Sequence, residues 1–171
     1  MPEYRIAHIS IRPEFDVNRF TATSHTGELS DKTLDSLRDL WETLTDSLQT
    51  QRIDNGCGSW LLIWLGEHVE QQVEKRWETS PLQGFLEHAL AVDCVMAAAA
   101  TLVPEIAQHG CAPVPEPSEA VRQAAQELGL NWPERHTLNR RYALLTRFPW
   151  QGGCSTCHLE DNCPKHKTPS S

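Results

Sequence analysis

A chain of 171 residues, 39% of them apolar and six of them tryptophan, has the length of about one domain and can bury a core, which excludes a disordered chain. Its 15 basic and 23 acidic residues leave a net charge of −8 and a pI near 5.4. That balance excludes nucleic acid as the main partner, because phosphate binding needs a net basic face. No apolar segment follows Met1-Pro-Glu-Tyr-Arg, and no apolar run is long enough to cross a bilayer. The expectation is a cytoplasmic protein without a secretory signal or membrane partner.

In chain order, residues 4–11 alternate imperfectly and read as a short strand or extended arm that Pro13 stops. Residues 14–27 lack a clear period and read as an irregular arm, with Phe15, Val17 and Phe20 as its anchors on the core. Leu34, Leu37, Trp41, Leu44 and Leu48 recur at intervals of 3, 4, 3 and 4, one apolar helical stripe that predicts a first helix over about 31–50. The breaker cluster Asp54-Asn-Gly-Cys-Gly58 ends a loop over 51–58.

A second helix is expected over about 59–78, its first half, Trp60 to Leu65, apolar all round and so deeply buried. Ser80-Pro81 is a cap followed by proline at the first helical position and starts a third helix, which Pro104 ends or kinks. A proline-rich connector, 110–117, leads to a fourth helix capped by Ser118 and closed by Gly129. Asn131-Trp-Pro-Glu134 has the form of a capping box and opens a fifth helix to about 147, with Leu138, Tyr142 and Leu145 as its stripe. The expected fold is therefore all-α in a single domain over 1–171. It comprises an N-terminal arm (1–29), a bundle of about five helices (30–148) and a cysteine-rich metal loop and tail (149–171).

That loop carries the chemistry. Cys154, Cys157 and Cys163 follow the spacing Cys-x2-Cys-x5-Cys, with His158 and His166 beside them. In a reducing compartment, thiols so close together favour metal binding or redox work over structural disulfides. Gly152 and Gly153 remove side chains that would crowd a bulky cluster, and Trp150 stands close enough to shield one from water. One reading is a [4Fe–4S] cluster on Cys154, Cys157 and Cys163, with the fourth ligand from Cys111, Cys57, Cys94 or a loop histidine. A second is zinc on the set Cys154, Cys157, Cys163 and His166. Cys154-Ser-Thr-Cys157-His158 also has the form of a c-type haem attachment motif, which would require export, and Cys154/Cys157 could act as a dithiol pair.

Among remote ligands, Cys57 sits in an accessible Gly-Cys-Gly turn and Cys111 follows Gly110 in the connector, whereas Cys94 lies mid-helix and reads as a buried structural thiol. His68 and His88 read as surface or capping residues, each adjacent to a glutamate that cannot share its helix face. No phosphate loop, dinucleotide fingerprint, nucleophile elbow or His-Glu-x-x-His is present, so no catalytic residue is named.

The stretch Cys154 to Cys163 looks like the cluster loop of endonuclease III-type DNA glycosylases, whose further cysteine, seven positions earlier, is Arg147 here. The acidic charge and the missing helix-hairpin-helix signature set that function aside. The last thirty residues or so also resemble the NifQ family of small, largely helical nitrogen-fixation proteins. These end in Cys-x4-Cys-x2-Cys-x5-Cys after a basic, aromatic helix. Arg140-Arg-Tyr142 and Cys154, Cys157 and Cys163 match that pattern, and its first cysteine falls on Pro149. The resemblance implies an iron–sulfur cluster and a role in delivering molybdenum to cofactor assembly. The expectation is an iron–sulfur accessory protein for metallocofactor assembly or electron transfer, docking by its acidic surface to a basic protein partner. The alternative is a zinc-stabilised interaction module without catalysis.

Overall fold

The computed structural model describes residues 3–135 and 137–163. It is mixed α/β, not all-α: a four-stranded antiparallel sheet is enclosed by six α-helices among the described residues. The strands are β1 (Arg5–His8), β2 (Gln49–Asp54), β3 (Ser59–Trp64) and β4 (Ala143–Phe148), in the order β1-β2-β3-β4. The helices are α1 (Val17–Ser24), α2 (Asp31–Ser47), α3 (Glu67–Thr79), α4 (Pro81–Leu102), α5 (Pro104–His109) and α6 (Glu119–Glu127).

The main correction falls on residues 49–64. The first half of the expected loop over 51–58 belongs to β2, and the expected start of a second helix is β3. Trp60 to Leu65 are apolar at every position because β3 is an inner strand covered on both faces. Leu61, Ile63 and Leu65 join one core with α2 and α4, and Trp60, Leu62 and Trp64 join another with α6. Every residue from Trp60 to Ile63 and Leu65 is fully buried, and each such aliphatic side chain contributes roughly 1.5–3 kcal/mol. Asn55-Gly-Cys-Gly58 is the hairpin turn between β2 and β3, closed by Asn55 N donating to Gly58 O at 3.1 Å. Gly56 supplies the positive φ of 74° that the turn requires.

The expected fifth helix is also absent. Residues 131–142 are irregular, and β4 follows, pairing with β3 from Ser59↔Phe148 to Trp64↔Ala143. Leu138, Tyr142 and Leu145 satisfy a helical spacing, but the open edge of β3 recruits this segment as a strand. The N-terminal arm is more ordered than its polarity suggests. Asp16 caps α1, accepting from Arg19 N, and Trp41 Nε1 donates to Pro13 O at 2.9 Å inside the core. Phe20 is fully buried and Phe15 packs on the same cluster, as the anchor reading expects.

The remaining helices follow their start and stop signals. Ser30, Ser80 and Ser118 each cap a helix through their hydroxyl. Gly129, at φ 79°, closes α6, with Leu130 N donating back to Ala125 O at 2.9 Å. By length and composition α4 could cross a membrane, with mean hydropathy 1.5 over its best window, contrary to the expectation that no segment could. Here it is a central helix, in contact with α1, α2, α3, α5, β3 and β4.

Candidate metal loop

The β3/β4 register decides what lies near the cysteines. Ser59 at the start of β3 pairs with Phe148 at the end of β4. The β2–β3 turn with Cys57 and the segment leaving β4 towards Cys154 therefore lie at the same end of the sheet. The connector 110–118 passes this end too. Asn55 Nδ2 donates to Ser118 Oγ at 2.9 Å, and Thr146 Oγ1 donates to Pro113 O at 3.0 Å. Cys57 and the segment bearing Cys154, Cys157 and Cys163 thus leave the sheet at one end, whereas Cys111, at the start of the connector, lines a cavity with Ala143 and Leu144 towards the other end of β4. The sixth, Cys94, is fully buried in α4 as expected, and burial, then the charge of Asp93, pushes its thiol up to about 12.

After the cis Phe148–Pro149 bond the chain makes two successive 3-10 turns, Gly153–Thr156 and Glu160–Asn162. Cys154 lies in the first, Cys157 closes it with its N–H on Cys154 O at 3.0 Å, and Cys163 closes the second. Gly152, at φ 74°, starts the first turn. A β-carbon there would lie 2.1 Å from Thr156 Cγ2, so this position demands glycine for space as well as conformation. Gly153, at φ 53°, has more room, its nearest neighbour being Trp150 at 3.6 Å.

The connector clasps this loop at one residue. Val114 N donates to Cys157 Sγ at 3.4 Å, and His158 N donates to Val114 O at 3.0 Å. His158 Nδ1 lies 2.7 Å from the same carbonyl, so it carries its hydrogen there. Trp150 stacks on His109 of α5, with ring centroids 5.0 Å apart and planes 8° from parallel. Neither contact was legible beforehand; only the prolines of the connector, which hold it extended, signalled a rigid support. Cys111 and His158 both line a cavity of about 520 Å³ between the connector and β4.

Of the expected ligands, Cys154 and Cys57 are exposed, and Cys111, Cys157 and Cys163 are partly buried and free of disulfides. His166 lies outside the described residues. His88, expected at the surface, is instead half-buried and hydrogen-bonded through Nδ1 to Tyr142 Oη at 3.0 Å.

The loop fits a cluster or thiophilic metal in the kind of donor it offers, and in the amide already aimed at Cys157 Sγ. It is not a ready-made ligand set: among the described residues, no three His, Cys, Asp or Glu side chains are grouped closely enough to hold an ion. Metal uptake would have to draw the thiols together and order the loop.

The fold and loop together define a small α/β protein with a cysteine-bearing end. No protein-family model matches the chain, and no curated protein matches it.

Proposed function

We propose that this chain is a metal-binding accessory protein that carries an iron–sulfur cluster on Cys154, Cys157 and Cys163 and serves metallocofactor assembly or electron transfer to a larger enzyme. The observation that supports the reading best is the clasp at Val114, which directs a backbone amide at Cys157 Sγ and so favours its thiolate. The fourth position would fall to a remote thiol, either Cys57 at the same end of the sheet or Cys111 in the connector. When bound, the group would supply one-electron chemistry or a transferable cluster. The chain's own residues would hold it: Gly152 lets the first turn close on Thr156, Val114 orients Cys157, and Trp150 is fixed by its stack on His109. The acidic net charge of −8 favours a protein partner with a basic face.

Anaerobic reconstitution with ferrous iron and sulfide tests this. The expected result is a brown protein with stoichiometric iron and sulfide, lost in Cys157→Ser and reduced in Cys111→Ser or Cys57→Ser. A colourless, iron-free product would sink it. Stoichiometric zinc that is lost on His166→Ala would favour the zinc-stabilised interaction module instead.

A further inference from the structure

Away from the cysteines, a groove of about 690 Å³ runs along α4 between α1 and α5. That volume lies in the range of small-molecule sites, roughly 300–1,000 Å³. It arises because α4 is apolar on nearly every side. One side packs into the core through Leu86, Leu90, Cys94 and Ala98. The stripe Phe85, Ala89, Val92 and Met96 lines the groove instead, leaving Phe85 37% and Val92 43% exposed. An exposed helix face of this kind ordinarily carries polar residues.

Two basic side chains dominate the polar groups of the groove. Arg19 enters from α1, gives its Nε and one terminal nitrogen to the two oxygens of Asp93, at 2.9 and 3.0 Å, and keeps its other terminal nitrogen without a hydrogen-bond partner among the described residues. Asp93, the carboxylate in the wall, is therefore engaged at both oxygens. His88 is oriented from behind. Tyr142 Oη lies 3.0 Å from His88 Nδ1 and can donate its phenolic hydrogen there. Neutral His88 then carries its hydrogen on Nε2, a donor with no protein partner among the described residues. His25 stands exposed at the rim, at the left-handed end of α1. The walls thus offer these nitrogen donors, beside the Thr23 and Ser24 hydroxyls, which give their hydrogens to Arg19 O and Phe20 O, and no free carboxylate, around an apolar floor.

We infer that this groove binds a small monocarboxylic acid with an apolar body, its carboxylate on Arg19 and His88 and its body along Phe85, Ala89, Val92 and Met96. A carboxylate is acceptor-only, which matches the open nitrogens of Arg19 and His88, and charge-assisted bonds to guanidinium and imidazole are the stronger kind. The groove ends at Met96 and Gly110, which also line the Cys111–His158 cavity.

Titration calorimetry of the full chain with octanoate, 1-octanol and octylammonium tests the inference. The expected result is saturable octanoate binding, at least tenfold weaker binding of 1-octanol, and none of octylammonium. Val92→Trp, a change at an exposed position, should abolish octanoate binding while the melting temperature holds. His88→Phe should weaken octanoate severalfold and leave 1-octanol unchanged. Failure of octanoate to bind, equal binding of 1-octanol, or wild-type binding by a folded Val92→Trp variant would each overturn the proposal.

Discussion

Arg19, on a helix that the sequence hardly announces, reaches across to Asp93 in the middle of the most apolar helix of the chain and bonds both of its carboxylate oxygens, at 2.9 and 3.0 Å. The Asp93 side chain is only 3% exposed and that of Arg19 33%. Removing the arginine alone strands a buried charge. Arg19→Ala is expected to cost about 3 kcal/mol in denaturant unfolding, whereas the paired replacement Arg19→Met with Asp93→Leu should recover most of it, since apolar pairs commonly replace buried ion pairs without loss. A single variant as stable as the wild type would show that the pair is solvated.

Cys94 sits beside that carboxylate, its thiol pushed up to about 12 by burial and by Asp93. It should therefore be the last cysteine to react. Iodoacetamide at pH 8, followed by peptide mass spectrometry, is expected to modify exposed Cys57 and Cys154 first. Cys94 should stay unmodified until denaturant unfolds the chain. Early alkylation of Cys94 would place it near the surface.

The first 3-10 turn depends on the absence of a side chain at Gly152. Gly152→Ala should displace Thr156 and open the turn, so iron uptake should fall at least tenfold while the melting temperature shifts by less than about 2 °C, because the loop lies outside both cores. Gly153→Ala, with its neighbour at 3.6 Å, should do less. Equal iron contents in both variants and the wild type would separate the turn from metal binding.

His88 gives a pH dependence of definite sign. Burial, then the charge of Arg141, lowers its pKa below the ordinary 6.5. The groups around it are Tyr142, Arg141, Arg19, Asp93 and His25. The unfolded chain binds the proton more readily than the folded one, so the stability tied to neutral His88 is present above about 6.5 and is lost as pH falls through that value towards the folded pKa. The wild type should lose more stability between pH 7.5 and 5 than His88→Phe does. Parallel melting curves for the two would rule the histidine out as the source.

Where the chain carries its own punctuation, the fold is readable. Ser80-Pro81 and Ser118 begin α4 and α6 where local chemistry requires, and Phe15 and Phe20 anchor the arm as their isolation among polar residues suggests. The sheet is not readable in the same way. Trp60 to Leu65 is a continuous apolar run that suits a buried strand as well as a buried helix. Its strand identity comes from pairing on both edges, with β2 and with β4, whose residues lie some eighty positions later. Leu138, Tyr142 and Leu145 fit a helical stripe, and only the empty edge of β3 decides against it. The same holds at the loop. The Cys-x2-Cys-x5-Cys spacing is visible in the chain, but that Cys57 shares an end of the sheet with it follows from the register, and the Val114 clasp follows from the path of the connector.

That register also sets an order of events. β2 and β3 are joined by a four-residue turn, so they can pair as soon as they are made, whereas β3 cannot complete its second edge until Ala143–Phe148 has been synthesised. The thiols of the loop come directly after. Since Cys154, Cys157 and Cys163 follow Phe148 within fifteen residues, the last strand and the loop become available almost together, and the Val114 contact with Cys157 can form only as the sheet is completed.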